Sequence, residues 1–141
     1  MKKHLIALSV ALCASIAGGA YAADGMAKDA YKSAKDKIEA QAKSDKKACE
    51  GMKENAKDVC QAEAKAKEKI AKAELDAQNH PGARADEKVR LMKAEGEYEV
   101  AKEKCEDVKG TAAACKKDAK TAYNKAKADA KQVKSAEAKK S

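Results

Sequence analysis

The sequence predicts an all-α protein, a long antiparallel two-helix coiled-coil hairpin stapled by two disulfides, with arms that fray beyond the staples. Three observations carry this reading. Ala, Lys, Glu and Gln, all strong helix formers, dominate the chain. Four cysteines, Cys49, Cys60, Cys105 and Cys115, stand almost mirror-symmetrically about Pro81, the only proline. Small and apolar residues also recur at coiled-coil spacing.

The first 22 residues read as a cleaved secretory signal peptide. Met1-Lys2-Lys3-His4 is a cationic start, Leu5 to Ile16 is an apolar run, and Ala20-Tyr21-Ala22 is a small-x-small cleavage site. The run is shorter than the about 20 residues a spanning helix needs, and no second apolar run follows, so no transmembrane segment is expected after cleavage. Cys13 follows Leu12 rather than a small residue, which argues against a lipid anchor. Its removal leaves four cysteines in an exported chain, periplasmic or secreted, where disulfides persist.

Residues 23–141 form one domain's worth of chain. They contain 28 Ala, only nine Ile, Leu or Val, and no Phe or Trp. So few large apolar side chains exclude a thick core and leave a thin helical rod or a disordered polar chain. Helix one is expected over 26–78. There Ala27, Ile38, Cys49, Cys60 and Ala71 recur every eleven residues and share one face. The acid-before-base pairs Glu39/Lys43, Glu63/Lys67 and Glu68/Lys72 support the helix at i, i+4. Residues 79–82, Asn-His-Pro-Gly, break it. Helix two is expected over 83–134, on a seam of Leu91, Tyr98, Cys105, Ala112 and Ala119 beside Ala94, Ala101, Val108 and Cys115. A basic tail follows to residue 141. Gly51, Gly96 and Gly110 are expected to give slight kinks.

Uninterrupted helices put Cys49 and Cys60 roughly 16 Å apart along the axis, and Cys105 and Cys115 about 15 Å apart. A disulfide needs Cα atoms within about 7 Å. Elimination then favours Cys49–Cys115 and Cys60–Cys105, the pairing that one antiparallel register satisfies. Each would close a long loop worth about 4 kcal/mol. The rival reading is a zinc or copper site, but two cysteine layers so far apart do not surround one ion. Redox catalysis favours a closer pair such as Cys-x-x-Cys, which is absent. No catalytic residue, metal or cofactor is expected, and His80 reads as an exposed turn residue.

The charges divide the chain. Residues 49–115 carry 13 basic and 15 acidic groups, whereas residues 23–48 carry 7 and 5 and residues 116–141 carry 9 and 3. In a hairpin the two arms lie side by side as a basic open end. The candidate anion-binding residues there are Lys116, Lys117, Lys120, Lys125, Lys127, Lys131 and Lys134. A solvated face is the plainer reading of the same lysines. Specific nucleic-acid binding is not expected, since no aromatic or Arg-rich pattern interleaves them.

The stretch from Lys57 to Gln78, KDVCQAEAKAKEKIAKAELDAQ, resembles in composition the Ala/Lys/Glu-rich helical rod of TolA-like envelope proteins. Neither that family's membrane helix nor its terminal globular domain is expected in this chain, so the resemblance implies an envelope setting and not a bridging role. The Cys49-x10-Cys60 and Cys105-x9-Cys115 spacings resemble in geometry the twin Cys-x9-Cys helical hairpins of the mitochondrial intermembrane space. The sequence thus suggests a non-enzymatic structural, interaction or stress-protective protein of the cell envelope. Its partner would be an anionic envelope component, an envelope protein, or a second copy through the Ala-rich seam. The alternatives are a thiol-based metal-handling protein and a largely disordered desiccation-type protectant, whose Ala-Lys-rich amphipathic repeats resemble late-embryogenesis-abundant proteins.

Overall fold

The computed structural model describes residues 25–137, with side chains up to residue 132. The expected signal peptide over 1–22 and the tail beyond residue 137 lie outside the described residues. The described chain is helical, in four long helices: α1 (Lys28–Ala48), α2 (Glu54–Asn79), α3 (Ala83–Lys104) and α4 (Ala112–Glu137). Short 3-10 turns follow α1 at Cys49–Gly51 and α3 at Cys105–Asp107. The expected helix one is therefore two helices, and so is helix two.

The breaks fall where local chemistry disfavours continuation. After Gly51 the backbone becomes extended at Met52 and Lys53, and Glu54 starts α2 at a φ of 51°. After α3, Val108 leaves helical geometry and Gly110 takes a φ of 81°, a conformation that favours glycine. Between α2 and α3, His80 and Pro81 stop the helix, and Gly82 at φ 145° redirects the chain. Gly51 and Gly110 thus lie in reversals rather than kinks.

Cross-helix contacts show that each neighbouring pair runs antiparallel. Lys46 meets Glu68 and Lys72 meets Glu39 between α1 and α2. Lys69 meets Glu95, Lys93 meets Glu74 and Lys104 meets Glu63 between α2 and α3. Tyr98 stacks on Tyr123, with ring centroids 4.9 Å apart, between α3 and α4.

Among the described residues the helices pack extensively only against their sequence neighbours. Side-chain phase explains why. On α2, Ala66 touches α3 while Glu68 touches α1. On α3, Gly96 touches α2 while Tyr98 touches α4. Residues two apart lie about 200° apart around a helix, so each inner helix uses opposite sides for its two neighbours. The result is an open layer, α1-α2-α3-α4, rather than a closed bundle. Its buried hydrophobic side chains are Ala42, Ala64, Ala66, Ala73, Ala94 and Ala130, with Leu75, Cys49 and Cys105. Small seams let backbones approach closely: a Cβ on Gly96 would stand 2.8 Å from that of Ala66.

The disulfide pairing corrects the sequence expectation. Cys49 bonds Cys60 with Cα atoms 5.7 Å apart, and Cys105 bonds Cys115 with Cα atoms 5.6 Å apart. The cross-pairing requires unbroken helix between the members of each pair. The chain instead reverses between them, so each bond closes a short loop across its own turn. The two basic arms are also not side by side. They form α1 and α4, the opposite edges of the layer, with α2 and α3 between them.

Candidate interaction surfaces

The alternating helix directions bring the two stapled turns to the same end of the layer. Asn55, just after the first turn, donates a 2.7 Å hydrogen bond to the backbone carbonyl of Glu103, just before the second. Met52 and Val108, each three residues after its half's first cysteine, are both exposed. Cys49 and Cys105 are buried. The segments Cys49-Glu50-Gly51-Met52-Lys53 and Cys105-Glu106-Asp107-Val108-Lys109 also share the pattern Cys-Glu-x-x-Lys. The halves are thus related by repetition as well as by the mirror placement of their cysteines.

The α1–α2 seam is fastened by charge. Glu68 receives hydrogen bonds from Lys46 at 2.7 Å and from Lys72 at 2.8 Å, and these hold its carboxyl down to about 2. Lys72 also pairs with Glu39, so one cluster joins both helices. Further along, Asp76 pairs with Lys88 and accepts a 2.6 Å hydrogen bond from the Tyr31 hydroxyl. Lys88 first and Tyr31 second hold Asp76 below the usual carboxylate range, and the same bond raises Tyr31. On the α3–α4 side, Lys102 sits 5.3 Å from the centre of the Tyr98 ring, and Lys127 sits 5.1 Å from that of Tyr123.

The lysines singled out from sequence divide on α4. Lys116 is half-buried and pairs with Glu106, and half-buried Lys127 lies against Tyr123. Lys131 is exposed and engaged in a contact of its own. Lys117, Lys120 and Lys125 are exposed and have no ion pair among the described residues. At 100° per residue these three span an arc of about 140° on the outward side of the edge helix. Lys134 lies in α4 with its side chain outside the described residues. His80 stands in the α2–α3 turn, its ring nitrogen 3.0 Å from the Asn79 amide.

Two grooves, legible only once the helices are paired, flank the close contact of Ala66 with Gly96. One is a hollow of about 370 Å³ with an apolar floor of Ala66, Ile70, Gly96, Val100 and Ala101. Its lips are Glu63 and Lys67 on α2 and Glu97 and Lys104 on α3. The other, of about 250 Å³, lies on the opposite face and is lined by Asp58, Lys65, Lys69, Glu95, Glu99 and Glu103. No helix among the described residues is long and apolar enough to cross a membrane. Comparison of the chain with protein-family models, curated proteins and solved structures finds no match.

Proposed function

We propose that this is a non-enzymatic, exported helical protein of the cell envelope that attaches to anionic envelope material along α4. The observation that carries the reading is the charge of an edge helix with an uncovered outer side. Residues 116–141 hold 9 basic and 3 acidic groups, and Lys117, Lys120 and Lys125 are exposed without an ion pair among the described residues. Such a surface attracts polyanions through long-range field rather than fitted contacts. The composition resembling TolA-like rods and the secretory-type leader support the envelope setting. A thiol-based metal role is the weaker reading, because it requires thiolates and all four sulfurs are held in disulfides.

The test is co-sedimentation of the oxidised protein with lipopolysaccharide and with vesicles containing anionic lipid, at low and high salt. Binding should fall steeply with salt, since exposed charges are screened beyond about 8 Å at physiological ionic strength. Replacing Lys117, Lys120 and Lys125 together by Gln should remove most of it without changing helicity. Replacing Lys28, Lys35 and Lys37 on α1 should not. Equal loss from both sets, or binding indifferent to salt, would reject α4 as the attachment surface.

A further inference from the structure

We propose that the apolar groove between α2 and α3 is a homodimer interface, in which a second copy lies face to face across a two-fold axis parallel to the helices. The inference is independent of the α4 reading. It begins with a thin layer that leaves both faces open, although a helix face normally buries its apolar stripe against another layer. Ile70 and Val100, two of the nine large aliphatic residues in residues 23–141, line this groove and are only half-buried.

The lips identify the occupant. Lys69 pairs with Glu95 at 2.7 Å and fixes the local register. Two residues back on α2 and two forward on antiparallel α3 bring Lys67 and Glu97 to one level on opposite lips. Both are exposed, and neither has an ion pair among the described residues. Nearby, Glu63 and Lys104 also face each other, at 3.3 Å. A two-fold rotation about an axis parallel to the helices lays α2 of one copy over α3 of the other without changing its level. Lys67 of each copy then meets Glu97 of the other, and Glu63 of each meets Lys104 of the other. Every lip charge faces its opposite, as an isologous contact requires. The same operation carries Val100 toward Ala66 of the other copy, a knob onto a small-residue floor.

A uniformly charged partner would be opposed by one sign or the other, whereas a second copy satisfies both. Size agrees as well. Two adjacent helices about 10 Å wide over some 33 Å of α3 present roughly 650 Å², near the ~800 Å² per partner of a stable interface. The opposite groove is a poorer candidate: its lining includes four carboxylates and two lysines, one of which already pairs across it.

The experiment is sedimentation equilibrium of the oxidised protein from micromolar to submillimolar concentration, with helicity checked by circular dichroism. The wild type should show a reversible monomer–dimer equilibrium. Lys67→Glu and Glu97→Lys, each alone, should weaken it by about tenfold or more, because like charges then oppose each other twice per dimer. The double variant should regain dimerisation, and a mixture of the two single variants should form a heterodimer tighter than either homodimer. Val100→Lys should abolish the dimer. A wild type monomeric throughout would overturn the proposal. So would single reversals that associate like wild type, or a mixture no tighter than its components.

Discussion

If each disulfide lies within its own helical pair, cutting the chain between α2 and α3 separates it into two covalently independent halves. A site-specific protease sequence placed across 79–82 supplies the cut, at the turn where the described chain has its Pro-Gly break. Without reductant, the cleaved protein should run on a denaturing gel as two fragments, and mass spectrometry should find one intact disulfide in each. Cys49–Cys115 or Cys60–Cys105 bonds would instead hold the fragments together until reduction. Local pairing also sets the magnitude. The bonds span 11 and 10 residues, and loop-closure entropy makes each worth about 3 kcal/mol. Cross-pairing over several tens of residues would give more than 4 kcal/mol each. Cys49→Ala with Cys60→Ala should therefore lower unfolding stability by about 3 kcal/mol. Hydrogen exchange should show the loss concentrated in α1 and the start of α2, with α3 and α4 still protected. A single covalent species after cleavage, or equal loss of protection in all four helices, would refute the local pairing.

Other perturbations test the seams one at a time. Gly96→Ala should destabilise by about 1–3 kcal/mol in urea unfolding despite a better helix propensity, because the new Cβ meets that of Ala66 at 2.8 Å; Gly51→Ala, with open space around it, should be near neutral. Glu68 has a folded pKa held below its unfolded value, so its contribution is present above the ordinary carboxylate range of about 4.5 and is lost as pH falls toward about 2. Asp76, also lowered, adds in the same direction. Acid should thus loosen α1 from α2, and Glu68→Gln should remove most of that pH dependence in a melting series. Tyr123→Ala should cost about 2 kcal/mol and expose α4 to hydrogen exchange, since it removes the partner of Tyr98 and the ring beneath Lys127. Uniform destabilisation of all four helices by that change would contradict the neighbour-only packing.

The sequence carries the helical seams clearly, but not which seam meets which. From sequence, the stripe through Leu91, Ala94, Tyr98 and Cys105 is expected to face the first half of the chain. In the structure that stripe faces α4, where Tyr98 stacks on Tyr123, and the opposite side of α3 is the one that packs on the first half, with Gly96 against Ala66. Ile38 and Ala71, eleven-residue partners in the first half, line one hollow between α1 and α2, so that face meets its own half while the other side of α2 packs on α3. The period of an amphipathic helix says which residues are buried together; it does not say which of several Ala-rich faces will cover them. The repeated Cys-Glu-x-x-Lys segments were the available signal for a two-fold repetition. The mirror placement of the cysteines obscured it, because both symmetries fit the same four positions. Gly51 and Gly110 acquire their meaning only with that repetition, as matching breaks 49–53 and 105–111 rather than isolated weak points.

The architecture follows from what this chain lacks. With no Phe or Trp and few branched aliphatics, no helix face is rich enough to gather three neighbours around a common core. Alanine seams serve one neighbour on each side, and inner helices with seams about 200° apart extend a layer rather than close a bundle. Such a layer gains little burial per residue, so the α1–α2 and α3–α4 turns are held covalently, and the α1–α2 and α2–α3 seams are reinforced by ion pairs such as Glu68 with Lys46 and Lys69 with Glu95. The same thinness leaves two broad faces and two edges uncovered. Basic α4 on one edge and the charge-alternating α2–α3 groove on one face are therefore not decorations on a completed core. They are the surfaces a chain of this composition has left with which to act.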